Sequence, residues 1–156
     1  MVSMMEYLYM LAVALLVGKV ALLSFVVAPI LAKNLERESF GKVVRELFPA
    51  YYRLGMGTAI AGLISAAGLG LILGMSTILI IAGGTWLIIF AAEAYCRSPL
   101  TPQSNAMRDR LKEQESRGAV DPALQAAWSR LHQRSIYLNS LVLLAGLCLL
   151  GMAGRW

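Results

Sequence analysis

Residues 7–32 read YLYMLAVALLVGKVALLSFVVAPILA, an apolar run whose single charged side chain is Lys19. A helix needs roughly 20 apolar residues to cross the hydrocarbon core of a bilayer, which is about 30 Å thick. Three further runs, 54–74, 77–96 and 135–152, come close to that length. None of the four alternates with a period of two, so each is predicted to be a helix. The sequence therefore predicts an all-α, integral membrane four-helix bundle.

The composition agrees with this class of protein. Of the 156 residues, 58% are hydrophobic and 15% are charged, which is far from the balance of a soluble domain. The four spans fill one predicted domain, 1–156, with loops at 33–53 and 97–134. Cys96 and Cys148 are predicted near opposite membrane surfaces, and a disulfide requires Cα atoms within about 7 Å. Both cysteines are therefore predicted to be free, buried thiols.

Lysine and arginine are concentrated in the first and third connections, 33–53 and 97–134. Cytoplasmic loops carry such an excess of positive charge, so both loops are predicted to lie in the cytoplasm. The protein is then a multi-pass inner-membrane protein with both termini on the extracytoplasmic side. Its net charge of +5 favours contact with membrane lipid headgroups. No aromatic-interleaved basic patch supports nucleic-acid binding.

Short helices are predicted in both cytoplasmic loops. Apolar residues between Phe40 and Phe48 recur at helical spacing, which predicts an amphipathic helix on the membrane surface. Pro49 is then predicted to open the second span. Thr101-Pro102 is predicted to cap a polar helix over 101–115. Asp121-Pro122 is predicted to cap the long helix that contains span four.

The second span has small residues at every fourth position, which allow two helix backbones to approach closely. This pattern predicts packing of spans two and three within the chain, with homo-oligomerisation as the alternative. The helix-packing residues are Thr58, Gly62, Ala66, Gly70 and Gly74.

Ionisable groups within the bilayer are candidate functional residues because they are costly there. Lys19 is an intramembrane charge that either faces an internal cavity or extends its amine to the surface or to backbone carbonyls. Glu93 is predicted about one turn inside the membrane. Counting 1.5 Å per residue places Lys19 on the order of 13 Å deeper. Arg53, Arg97 or His132 is therefore predicted to be the partner of Glu93.

A polar line follows one face of the fourth span, through His132, Ser135 and Asn139. It either conducts a small solute or proton, or forms hydrogen bonds between helices. Together with the loop residues it predicts a polar cluster at the cytoplasmic face. The residues assigned to this inner-face cluster are Arg53, Glu93, Asn105, Arg108, Asp109, His132, Ser135 and Asn139.

Motifs of soluble enzymes are missing, so no catalytic residue is predicted and the protein is expected not to be an enzyme. With one histidine and two distant cysteines, no zinc pattern is present. No cofactor and no metal site are predicted. Haem would need an axial ligand besides His132. The thioethers of Met1, Met4, Met5 and Met10 suit Cu(I), but an initiator methionine and an apolar helix start explain most of them.

Several stretches resemble a family of small four-helix membrane proteins that includes human transmembrane protein 205. These stretches are 27–29, 40–41, 47–55, 105–109, 131–135 and Asn139. The resemblance implies an integral membrane protein with a role in export or metal handling, and a fold similar to copper-resistance protein D. The motif residues gather at the predicted cytoplasmic face. Members of that family usually have a pair of small residues in span one, where this chain has Gly18-Lys19.

The leading hypothesis is a non-enzymatic membrane protein that binds or passes a small solute or a metal species. The alternative is a structural or accessory subunit that docks onto a larger membrane complex. A haem- or copper-linked redox component is the weakest alternative.

Overall fold

The computed structural model describes residues 1–156 and contains helices and no β-strand. Two π-helical segments, Leu23–Val27 and Cys96–Leu100, connect helices without a break. The chain therefore forms four continuous helical rods, each long and apolar enough to cross a membrane, which confirms the predicted fold class. The α-helices are α1 (Val2–Leu22), α2 (Ala28–Asn34), α3 (Arg37–Leu73), α4 (Thr77–Tyr95), α5 (Thr101–Ser116) and α6 (Pro122–Met152).

Both chain termini lie at the same end of the bundle. The indole Nε1 of Trp156 donates a hydrogen bond to Glu6 Oε1 at 3.2 Å. The Trp156 ring also packs edge-on against Tyr9, with 4.8 Å between the ring centroids. We call this end the terminal end. The opposite end, which holds α2, α5 and the first turns of α3 and α6, is the loop end.

The π-helical segments occur where prolines interrupt the regular hydrogen bonding of a helix. Pro29 cannot donate to the carbonyl of Phe25, and the backbone N–H of Ala28 instead bonds to Leu23 O, five residues back. In the second segment the N–H of Thr101 bonds to Cys96 O in the same way. The helices thus continue past their prolines with one wider turn.

Two predicted helix starts are wrong, because the helices continue through Pro49 and Pro102. The amphipathic stretch before Pro49 is the first part of α3, and the helix passes through Pro49 without ending. The carbonyl that Pro49 leaves unbonded belongs to Arg45, which is exposed. Thr101 does not cap a separate helix, because α5 continues from α4 and the Thr101 hydroxyl donates to Cys96 O at 2.7 Å. By contrast, Asp121 caps α6 as predicted, accepting from the N–H of Ala123 at 2.8 Å.

Helices α1 and α4 each pack on α3 and also on α6, and their backbones do not approach each other. No Cα of α1 lies within 8 Å of a Cα of α4. Large side chains of α4 instead cross over glycines of α3. At Gly62 the Trp86 indole occupies the space that a Cβ would fill. Trp86 then meets Tyr9 of α1 edge-on at 6.0 Å between centroids.

The predicted ladder of small residues is mostly covered by the chain itself. Thr58, Gly62, Ala66 and Gly70 are buried within the bundle. Gly74 ends α3 with a φ of 91°, a backbone conformation that suits glycine, and it is exposed. The face from Thr58 to Gly70 therefore packs within the chain and is not available to a second copy.

Candidate functional site

Two of the charged groups predicted within the membrane form a buried ion pair. Lys19 Nζ of α1 lies 2.6 Å from Glu93 Oε1 of α4. The side chains are 4% and 1% exposed, respectively. Lys19 Nζ also lies 3.9 Å from the centroid of the Tyr51 ring and 3.5 Å from the Tyr51 carbonyl oxygen. The lysine is thus held by a carboxylate, an aromatic face and a backbone carbonyl.

The prediction that Arg53, Arg97 or His132 would pair with Glu93 is wrong. It rested on depths counted from the predicted ends of the spans, as though those ends marked the membrane surface. The helical rods continue beyond these ends, to Asn34 in the first and Ser116 in the third. Residue counts from the predicted ends therefore do not give relative depth, and the two long side chains reach each other across α3.

Gly55 of α3 makes this meeting possible. A Cβ built on Gly55 would overlap the Glu93 carboxyl group and Lys19 Nζ. The missing side chain leaves a gap through which the ion pair passes over the α3 backbone. The second oxygen of the carboxylate, Glu93 Oε2, is buried and has no hydrogen-bond partner. Such an unpaired buried oxygen is uncommon, so the pair is incompletely satisfied.

The neighbouring tyrosines of α3 connect this ion pair with the polar line of α6. Tyr51, which contacts Lys19, donates its hydroxyl to Asn139 Oδ1 at 3.1 Å. The Tyr52 hydroxyl lies 3.1 Å from Ser135 Oγ. Ser135 and Asn139 therefore bond α6 to α3 across the interior of the bundle, although no Cα atoms of the two helices lie within 8 Å of each other. These contacts match the hydrogen-bonding alternative of the sequence analysis.

Beside the tyrosines lies a groove of about 460 Å³ at the loop end, bounded by α1, α3, α5, α6 and the two π-helical segments. Its polar end is formed largely by α5. Its apolar part extends between α1 and α6 toward the middle of the bundle. The polar lining includes Thr101, Ser104, Asn105, Arg108, His132 and Asn139, and the apolar lining includes Val20, Leu23, Phe25, Phe48, Ile136 and Leu143.

Arg108 is the single charged side chain that lines the groove. It is partly buried, and the hydrogen bond it makes within the chain runs from Nη1 to Gly41 O at 3.3 Å. Arg108 lies outside the predicted spans, and desolvation lowers its pKa, with the charge of Arg45 adding to that effect. A guanidinium has five N–H donors, so most of those of Arg108 remain without a partner in the chain.

His132 lies at the rim of the groove, outside the predicted fourth span. Its ring stacks on Trp128, with 5.5 Å between centroids and 4° between planes. Partial desolvation lowers the pKa of His132 below its usual value, and the charge of Arg108 lowers it further. The imidazole is therefore a neutral hydrogen-bonding group near pH 7, and Arg108 supplies the charge of the groove.

The predicted inner-face cluster is thus divided between several places. Asn105, Arg108, His132, Ser135 and Asn139 line the groove together. Glu93 is separate from them, in the buried ion pair. Two others lie outside both: Asp109 is exposed and pairs with Arg45, and Arg53 is exposed.

Three residues important to the site were not identified from the sequence. Tyr51 and Tyr52 were not assigned to the site, whereas both are buried between helices. Gly55 was passed over because it falls outside the four-residue ladder, although it lies seven residues before Gly62. A search for glycines at seven-residue spacing would have found both positions where α4 side chains cross α3.

No group of three His, Cys, Asp or Glu side chains lies close enough together to hold a metal ion. Cys96 is buried and Cys148 is exposed, so the prediction of two buried thiols is wrong for Cys148. The methionines do not add a buried site either, because Met1, Met4 and Met10 are exposed. The side chains of this chain therefore do not fit a bound metal ion.

The architecture and the buried charges define a membrane-protein class, that of small bundles with four membrane-length helices. The chain belongs to the family described as a domain of unknown function, DUF4149, which matches residues 11–112. The matched part contains Lys19, Tyr51, Gly55 and Glu93 and ends before α6. No curated protein and no solved structure matches the chain.

Proposed function

We propose that this chain is a non-enzymatic inner-membrane protein that binds a small organic solute in the groove at its loop end. The groove supports this proposal most directly. Its volume of about 460 Å³ falls in the usual range for small-molecule sites, roughly 300–1,000 Å³. A few polar groups at one end of an otherwise apolar cavity are typical of such sites, since they orient the ligand.

The side of the membrane follows from the charge distribution. The loop end carries the basic connections 33–53 and 97–134, so we assign it to the cytoplasm. A solute would then enter from the cytoplasm or from the inner leaflet. The absence of a fitting metal-ligand set favours an organic solute over the metal species considered from the sequence.

Binding is better supported than passage through the bundle. Beyond Tyr52 the interior is filled by the Lys19–Glu93 pair and then by Trp86 and Tyr9, all of them buried. A solute could cross only if the ion pair separated. The export role implied by the resemblance to transmembrane protein 205 therefore requires a second conformation.

Mass spectrometry of small molecules that co-purify in mild detergent tests this function. Ser140 lines the groove, so Ser140→Trp should fill it, whereas Leu144→Trp places the same side chain on an exposed position outside it. We expect at least one species present with the wild type and Leu144→Trp and depleted at least fivefold with Ser140→Trp. If the three proteins carry the same molecules, the groove is not a binding site.

A further inference from the structure

The groove at the loop end is open toward the side of the bundle as well as toward its end. Helix α1 packs on α6 in the half of the bundle nearer the terminal end, where the side chains of Val17 and Leu16 lie against Gly146. Toward the loop end the two helices separate. No Cα of the first π-helical segment, Leu23–Val27, lies within 8 Å of a Cα of α6.

The residues at this lateral opening belong to predicted membrane spans. Phe25, on the π-helical segment, is 71% exposed, and Ile136, on α6, is 50% exposed. Both also line the groove. They belong to two of the helical rods that are long and apolar enough to cross a membrane, so in a bilayer these exposed side chains would face lipid. The apolar part of the groove is therefore continuous with the lipid.

The polar end of the groove has positive charge and no negative charge. None of its lining residues is a carboxylate, and Arg108 is their single cation. Asp109, the adjacent acidic residue, is paired with Arg45 outside the groove. Arg108 has free N–H donors, and the side chains of Asn105 and Ser104 line the same end of the groove. This arrangement is complementary to a single anionic group that accepts several hydrogen bonds.

We propose that the groove binds a single-chain anionic amphiphile that enters from the bilayer, with its phosphate or carboxylate head at Arg108 and its chain between α1 and α6. This inference rests on the proposed binding function and specifies its ligand class. The apolar lining from Phe48 to Val20 and Leu143 receives the first part of the chain, and the remainder leaves through the lateral opening. The head then lies at the depth of the inner-leaflet headgroups.

Native mass spectrometry from a neutral detergent tests the ligand class. The probes are lysophosphatidylglycerol, lysophosphatidylcholine of the same chain length, a monoacylglycerol, and glycerol phosphate without a chain. We expect lysophosphatidylglycerol to bind at least tenfold more tightly than the other three. Arg108→Gln should reduce this affinity about tenfold, as removal of one charge-assisted hydrogen bond predicts.

Three control variants separate loss of the site from loss of charge or of the fold. Arg97→Gln removes an exposed loop-end arginine outside the groove and should leave binding unchanged. Arg108→Lys keeps the positive charge and should retain most of the preference for the anion. Ser140→Trp should abolish binding of the anionic amphiphile, while Leu144→Trp should not.

Several outcomes would overturn the inference and can be told apart from failure of the proposed function. Equal binding of all three amphiphiles that is lost in Ser140→Trp would refute the anionic head but keep the groove as a binding site. Glycerol phosphate that binds as tightly as the amphiphile would refute entry from the bilayer. If no probe shows binding that depends on Ser140, the ligand class fails, and the proposed function fails as well only if no co-purifying species depends on Ser140.

Discussion

Lys19 and Glu93 form their ion pair between α1 and α4, two helices whose Cα atoms do not come within 8 Å of each other. In an apolar interior, an ion pair is held in place because either charge alone would be strongly disfavoured. The pair therefore links α1 to α4 across α3, and the position at which it crosses is fixed by Gly55. A single glycine thus determines whether the two charges meet.

Gly55→Ala should destabilise the protein strongly, because the new methyl group would overlap both charged groups. We expect a loss of about 3 kcal/mol or more in the free energy of unfolding, as for separation of a buried pair. Gly57→Ala is the matched control, because a Cβ there meets nothing within 4 Å. Unfolding in mixed detergent micelles measures both variants. Equal stability of the two would contradict the crossing at Gly55.

The coupling between the two charges can be measured by a double-mutant cycle. Lys19→Met and Glu93→Leu each leave one buried charge without its partner, so each should cost about 3–5 kcal/mol. The double variant leaves no buried charge and should be more stable than either single variant. Additive losses in the unfolding free energy would show that the two side chains do not interact.

At the scale of elements, the number of helices and their class follow from the lengths of the apolar runs. The sequence also identified Lys19, Glu93 and the α6 residues as polar groups inside the bundle. It could not identify which of them meet, because that depends on how far each helix continues beyond the membrane. Pro49 and Pro102 were interpreted as helix starts, whereas α3 and the α4–α5 rod continue through them.

A prediction at the scale of elements concerns Gly62, on the face of α3 that α4 covers. Gly62→Ala would place a methyl group within the Trp86 indole, and we expect a loss of about 1–3 kcal/mol from overpacking. Gly84→Ala in α4 meets nothing within 4 Å and should not destabilise. Adding Trp86→Leu to Gly62→Ala should recover part of the loss, in the same unfolding assay. Without such recovery, contact with Trp86 does not explain the effect.

At the scale of the whole molecule, the four rods, the shared end for both termini and the two basic connections together predict one orientation. Cys96 and Cys148 are first replaced by serine. A membrane-impermeant maleimide should then label Arg155→Cys in intact spheroplasts, where the outer surface of the inner membrane is accessible. Val120→Cys, in the exposed connection before α6, should be labelled only after permeabilisation. The reverse pattern would place the loop end, and with it the groove, outside the cell.

The question of oligomers also belongs to this scale. Homo-oligomerisation was an alternative reading of the small-residue ladder, and that face is covered by the chain's own helices from Thr58 to Gly70. A homo-oligomer or a docked partner protein stays a prediction, and it would have to use another face. The exposed apolar side chains outside the groove are those expected of a surface in contact with lipid.

The pairing of Lys19 with Glu93 has a consequence for biosynthesis. The ribosome delivers the first span long before the third, so the nascent chain holds an unneutralised ammonium until residue 93 has been integrated. A nascent chain stopped after residue 76 should therefore be degraded rapidly by membrane proteases, and Lys19→Leu should extend its half-life in a pulse-chase measurement. An equal half-life for the two truncated chains would show that the unpaired ammonium of Lys19 does not shorten the lifetime of the chain. Neutralisation of Lys19 by Glu93 therefore has to wait until the third of the four membrane-length helices has been synthesised.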